Sequence, residues 1–206
     1  MRRIAITGGI GSGKSVVSSI LRVIGFSVYD CDSQAKRLMN SSESLKNELR
    51  KAFGNNAVVG DIVNKAYISK IVFNNQEALA KLNSIVHPFV RQDYEAWSNT
   101  KGVSFVETAI LFESGMDKLV DGIWIVNAPE DIRVKRVMNR NGLSKEEVLA
   151  RINSQVGLDR IYDKECVSII VNDDKASDLT QIMNLVRGMQ RLSVIIDTAL
   201  ISGIVV

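Results

Sequence analysis

Residues 4–15 read Ile4-Ala5-Ile6-Thr7-Gly8-Gly9-Ile10-Gly11-Ser12-Gly13-Lys14-Ser15. From Gly8 onward this is a complete G-x-x-x-x-G-K-S phosphate loop. An apolar run that predicts a strand precedes it, and a helical pattern follows. The glycines let the backbone wrap closely round an anion with its N–H groups turned inward. The following helix offers the positive end of its dipole. Lys14 can reach β- and γ-phosphates, and Ser15 can ligate Mg²⁺. The stretch therefore predicts a nucleoside triphosphate as donor and leaves the acceptor open.

Working outward, Val16, Val17, Ile20, Leu21 and Ile24 have helical spacing, and Gly25 ends that helix. A second strand is expected over Phe26–Tyr29, ending at Asp30-Cys31-Asp32. Residues 33–100 read as mostly helical, with turn signals near residues 40–42 and 54–56, and with Pro88 starting a new helix. Further strands are expected over Val103–Val106 (ending at Glu107), Gly122–Asn127 and Ser168–Val171. Helices are expected over Glu130–Asn139, after a capping box at Ser144–Glu147, and from about Lys175 to Leu192.

Strands alternating with helices predict an α/β fold: a five-stranded parallel sheet with helices on both faces. Ligands in such sheets gather at the carboxyl ends of the strands. The stretch 33–100 is too long for a simple crossover and reads as an inserted helical subdomain. A second, smaller insertion spans about 138–163.

Composition narrows the function. Of 206 residues, 46% are hydrophobic and 24% charged, which is ordinary for a globular protein. A net charge of +3 without a Lys/Arg-dense run argues against nucleic acid as a partner. Cys31 and Cys166 have no metal-ligand spacing and fit a reducing cytosol. His87 is the only histidine, which excludes a multi-histidine metal site. No signal-peptide pattern precedes the first strand. The apolar tail from Leu192 to Val206 is short for a membrane span and contains Asp197. A cytoplasmic protein without membrane contact is expected, either a monomer or a small homo-oligomer.

Other residues carry candidate chemistry. Asp30 and Asp32 sit two apart at an expected strand end, so their side chains should point the same way. Either could take a proton from an attacking hydroxyl; equally, Asp32 could cap a helix starting at Ser33. Glu107, at another strand end, could direct Mg²⁺. Arg140 closes the helix ahead of the smaller insertion, where a mobile guanidinium could offset charge on the moving phosphoryl group. His87 is either a helix-cap neighbour of Pro88 or a substrate contact, and Arg91 could fork onto an acceptor phosphate.

These segments, in this order, resemble the dephospho-coenzyme A kinase family. The resemblance rests on Thr7–Ser15, Asp30-Cys31-Asp32 with Ala35-Lys36, His87-Pro88-x-x-Arg91, Leu111-Phe112-Glu113, the trio Arg136, Arg140 and Gln155, and Asn172. It implies ATP-dependent phosphorylation of the ribose 3′-hydroxyl of dephospho-coenzyme A, with Mg²⁺. It also implies a nucleotide-binding core (1–32, 101–137 and 164–206), a helical substrate-binding insertion (33–100) and a small lid (138–163). It implies catalytic roles for Asp32, Lys14 and Arg140. Nucleotide contacts are implied at Gly9, Gly11, Ser12, Gly13, Lys14, Ser15, Val16, Arg140 and Asn172. Acceptor contacts are implied at Thr7, Asp32, His87, Arg91 and Leu111, and metal contacts at Ser15 and Glu107. Three positions depart from the family pattern: Glu107 stands where Asp is usual, Lys36 where Arg is usual, and Thr108-Ala109-Ile110 replaces a stretch containing proline. A nucleoside monophosphate or small-metabolite kinase of the same architecture is the alternative expectation.

Overall fold

The structure, a computed structural model, describes residues 1–155 and 167–201, with 190–201 as helical backbone alone. Cys166, the end of the expected lid and the last five residues of the tail lie outside the described residues. The elements run β1 (Arg2–Thr7), α1 (Lys14–Val23), β2 (Ser27–Asp30), α2 (Cys31–Ser41), α3 (Glu43–Phe53), β3 (Val58–Val59), β4 (Ile62–Val63), α4 (Lys65–Val72), α5 (Gln76–Ser98), β5 (Val103–Glu107), β6 (Gly122–Asn127), α6 (Glu130–Asn141), α7 (Lys145–Asn153), β7 (Val167–Val171) and α8 (Asp178–Ile201). Five strands form the expected parallel sheet in the order β2-β5-β1-β6-β7.

The chain divides into two compact units: Met1–Ala5 with Phe26–Gly122, and Ile6–Gly25 with Ile123–Val206. In the first unit β2 and β5 run parallel, with Asp30 opposite Glu107 at their carboxyl ends. Phe105 and Val106 are fully buried there. Tyr29 packs edge-on with Tyr94 and at a tilt with Trp97 of α5, with ring centroids 5.3 Å apart in each pair. In the second unit Ile123–Val126 of β6 are buried and pair with β7. Val134 and Val137 of α6 and Val148 of α7 make a further apolar cluster, against which Ile10, Met138, Leu143, Leu149 and Ile152 pack.

Local chemistry explains most helix starts. The side chains of Asp30, Ser42, Asn64 and Asn75 accept backbone N–H groups at the beginnings of α2, α3, α4 and α5. Ser144 and Glu147 form the expected reciprocal capping box on α7.

Four expectations need correction. Pro88 does not start a helix; α5 runs through it from Gln76 to Ser98. Proline removes the N–H that would bond the Ser84 carbonyl. The helix persists because it packs on α2, α3 and α4 and buries Val86, Val90 and Tyr94. His87 is accordingly a mid-helix residue, not a cap neighbour. Residues 54–64 are not helical throughout; they include a β3–β4 hairpin, turned at Gly60 with φ +57°. The last long helix starts at Asp178 rather than Lys175, because the Asp173 carboxylate captures the N–H groups of Lys175 and Ala176 in a turn. Finally, β2 stops at Asp30, and Cys31 is already helical. No helix of the described residues is long and apolar enough to cross a membrane.

Candidate active site

In the second unit the phosphate loop joins β1 to α1. Gly13 sits at the helix start in the left-handed region, φ +98° and ψ 23°, where a side chain would be strained. No side chain caps α1, and its first turn contains no acidic residue. The contrast with α2, α3, α4, α5 and α7 is physical. Those helices offer a cap side chain to their early N–H groups, and α6, which has no such cap, carries Glu130 and Asp131 in its first turn; α1 has neither, so the positive end of its dipole suits an anion.

The loop is held from several sides. Lys14 Nζ donates to the carbonyls of Gly8 and Gly9, at 2.9 and 3.2 Å. Arg133 Nε donates to the Ile10 carbonyl at 3.0 Å. Arg136 makes longer contacts, 3.4 Å each, to the carbonyls of Gly11 and Ser12. Gln155 Oε1 accepts the Ile10 N–H at 2.6 Å. Close approach of backbone requires two glycines: a methyl group on Gly8 would run into the Val126 carbonyl, and one on Gly11 would lie 2.7 Å from the Arg133 carbonyl oxygen; a methyl group on Gly13 would run into the Asn172 amide.

Asn172, itself buried, donates its N–H to the Asn127 carbonyl at 2.8 Å and accepts from Arg136 Nη2 at 2.7 Å. Arg136 also pairs with Asp174. Burial pushes the Arg133 pKa below its ordinary value, only partly offset by Glu130. Three cationic side chains thus crowd a glycine cradle whose following helix has no acid in its first turn, a setting suited to a polyphosphate. Arg140 is exposed at the end of α6, and its Nε donates to Asn141 Oδ1 at 2.8 Å. Val16 is exposed on α1.

The hydroxyl of Ser15 and the carboxylate of Glu107 are oxygen donors of the kind Mg²⁺ takes. Mg²⁺ keeps several waters and needs only one or two protein ligands beside the phosphates. Among the described residues no group of three His, Cys, Asp or Glu side chains could form an all-protein metal cage. Ser15 and Glu107, each within its own unit, offer an oxygen of that kind.

In the first unit, Asp30 and Asp32 part company. Asp30 Oδ1 accepts the N–H groups of Asp32 and Ser33 at 3.0 and 3.4 Å, and its Oδ2 takes the Ser33 hydroxyl at 2.6 Å. Asp30, not Asp32, is therefore the cap. The two carboxylates do not share an extended segment, because Asp32 lies in the first turn of α2. The Asp32 side chain lines a cavity of about 220 Å³ together with Met39, Val86, His87, Thr108 and Met116. The Cys31 thiol also lines it. Burial, then Asp32 and Asp30, push that thiol up to about 12, so it stays protonated near neutrality.

His87 is half-buried in the same cavity. Burial and the neighbouring Arg91 lower its pKa, against a smaller opposing effect from a backbone contact at Glu113. Arg91 Nη1 donates to the Ser114 carbonyl at 2.6 Å and so anchors the loop after β5. Leu111 is 1% exposed. Its carbonyl accepts the Met116 N–H at 3.1 Å, so it shapes that loop from within and its side chain is not among those lining the cavity. Thr7 is buried, with no hydrogen-bond partner for its hydroxyl among the described residues.

Two features escape the sequence. Asp93 on α5 accepts from Tyr29 Oη at 2.7 Å and from Arg37 Nη2 at 2.6 Å, tying β2, α2 and α5 together. Its partners are 64 and 56 residues away, and no local pattern marks them. Arg136 was marked by the family resemblance but not as a loop contact, and Arg133 only by its spacing of three from Arg136, which sets one face of a helix.

A phosphate loop between the middle strand of a parallel sheet and an uncapped helix defines a phosphate-loop kinase fold. Solved structures agree at the level of fold. Shikimate kinase from Acinetobacter baumannii covers 93% of this chain and 94% of its own, at 12% identity and a TM-score of 0.56. Dephospho-CoA kinase from Campylobacter jejuni covers 94% and 100%, at 24% identity and a TM-score of 0.65. A Thermus thermophilus structure reaches a TM-score of 0.76 at 35% identity, over 91% of this chain and 97% of that one.

The chain belongs to the dephospho-CoA kinase family, whose model matches residues 2–178. Dephospho-CoA kinase of Carboxydothermus hydrogenoformans is 38% identical over 180 residues, 84% of this chain and 86% of that protein. That of Bacteroides fragilis is 35% identical over 187 residues, 89% and 91%.

Proposed function

We propose that this chain transfers the γ-phosphoryl group of ATP to the ribose 3′-hydroxyl of dephospho-coenzyme A, giving coenzyme A and ADP in the last step of coenzyme A synthesis. The observation that carries this is the uncapped α1 behind a glycine loop ringed by Lys14, Arg133 and Arg136, in a chain of this family. Little covalent chemistry falls to the protein in phosphoryl transfer; positioning and electrostatics dominate.

Gly9, Gly11, Ser12, Gly13 and Lys14 hold the donor's phosphates, with Val16 and Asn172 shaping the surroundings. Lys14 exchanges its two loop carbonyls for phosphate oxygens. Ser15 and Glu107 would hold Mg²⁺, which neutralises charge on the phosphates when bound. Asp32 accepts the proton of the attacking hydroxyl. Asp30 is occupied as a cap and leaves that task to its neighbour. Thr7, His87, Arg91 and Leu111 serve the acceptor side directly or by shaping the loop after β5. Arg140 supplies charge to the transition state. On this reading 33–100 is the acceptor region and 138–163 a lid, and the protein works in the cytoplasm as a monomer or small homo-oligomer, without nucleic acid.

The test is ADP release from ATP and Mg²⁺ with dephospho-coenzyme A, with nucleoside monophosphates and without acceptor, followed by mass analysis of the product. A product heavier by one phosphoryl group, formed fastest from dephospho-coenzyme A, supports the proposal. Faster turnover of a monophosphate overturns it.

A further inference from the structure

We propose that Gln155 is a positioning residue for the phosphate loop, fixing the conformation of Ile10 and thereby the loop's affinity for ATP. An anion-binding loop needs its carbonyls held away from the ligand while its remaining N–H groups converge. Ile10 is where this loop is most heavily constrained. Its carbonyl is taken by Arg133 Nε at 3.0 Å, and its N–H by Gln155 Oε1 at 2.6 Å. Its side chain packs against Val134, Val137 and Val148. Gln155 follows directly on α7, whose last turn leads through Ser154. Three different chemistries thus fasten one residue of the loop to α6 and α7.

The N–H that Gln155 takes cannot also serve the donor, so its contribution is geometric. Without the acceptor oxygen, a partly buried N–H loses its partner and the loop samples other conformations. ATP must then select the competent one, and its apparent affinity falls by the fraction lost.

This inference rests on the reading of the loop as the ATP site, so its test begins without turnover. Gln155→Met keeps the side chain's length and removes the acceptor; Gln155→Glu keeps an acceptor oxygen. Backbone hydrogen exchange at Ile10, measured on the whole chain without nucleotide, should be faster in the Met variant and return towards wild type in the Glu variant. Calorimetry should show ATP binding weakened roughly tenfold in the Met variant, the size of one lost hydrogen bond. In turnover, the KM for ATP should rise while that for dephospho-coenzyme A stays unchanged. Wild-type exchange at Ile10 and wild-type ATP affinity in Gln155→Met would overturn the proposal. So would an equal rise in both KM values, which marks a general structural defect. If dephospho-coenzyme A is not phosphorylated but the exchange and ATP results hold, the functional reading fails and the role of Gln155 stands.

Discussion

The phosphate loop and the Asp32 cavity are built by opposite means. The loop is contiguous, built from eight residues, and works through backbone geometry: glycines, an uncapped helix and carbonyls held by Lys14, Arg133 and Arg136. The cavity is assembled from α2, α5 and the segment after β5, and works through side chains such as Met39, Val86, His87 and Thr108 around one free carboxylate. Charge recognition by backbone tolerates almost no substitution but is written in one short stretch. Shape recognition by side chains tolerates more and is spread over the chain.

Four experiments break or sharpen this contrast. The largest effect is expected at Asp32. Asp32→Asn should leave ATP affinity unchanged and cut kcat by about 10²–10⁴-fold, the usual worth of a general base. Binding by calorimetry and steady-state rates check it, and near-normal turnover removes Asp32 from the mechanism.

Next comes Gly13→Ala. Its positive φ alone costs about 1–2 kcal/mol, and the new methyl group meets the Asn172 amide. Stability should drop by at least that amount, and ATP binding should be lost. Gly60→Ala in the β3–β4 turn is the control, because it also has positive φ but opens onto empty space. It should pay only the strain and keep full activity. Equal behaviour of the two variants would deny that the loop's precision is local and steric.

Asp93→Ala should be milder. The Arg37 pair is half exposed and worth little by itself. The Tyr29 hydroxyl, however, loses a partner in a partly buried setting, a cost of about 1–3 kcal/mol. Denaturant unfolding should show that loss, and the KM for the acceptor should rise while the KM for ATP does not. A change in the ATP constant instead would show that the two regions are not separable.

The smallest effect is a pH dependence. His87 is the chain's only histidine, so its ring protons are unambiguous in a nuclear magnetic resonance titration. Burial and Arg91 lower its folded pKa below the unfolded value of about 6.5. Below 6.5 the unfolded chain binds more protons at this site than the folded one. Its stabilising contribution is therefore complete above 6.5, declines as pH falls and is gone below the lowered folded pKa. A native titration midpoint above 6.5 would reverse the sign.

Much of the fold was legible because its signals are local. Gly122–Asn127 is a strand as expected, and Ser144–Glu147 is a capping box, since both depend on neighbours within a few residues. The errors have two sources, tertiary burial that outweighed local preference at Pro88 and local capping by Asp30 and Asp173 that moved a helix start. Pro88 reads as a helix start, yet packing on three helices carries α5 through it. Asp30 and Asp32 read as a matched pair on a strand, yet the helix begins one residue after Asp30 and gives the two carboxylates different work.

The sequence by itself determined the donor side. A glycine loop, its lysine and its serine follow one another along the chain, and phosphate binding depends on backbone conformations that those residues alone permit. Only the tertiary structure decided who steadies that loop and what lines the Asp32 cavity. Gln155 lies 145 residues from Ile10, and Arg133 lies 123. Asp93 reaches two elements that no local pattern joins to it. Such partners are chosen by packing in three dimensions, where the burial of apolar faces brings distant polar groups within reach and obliges them to pair.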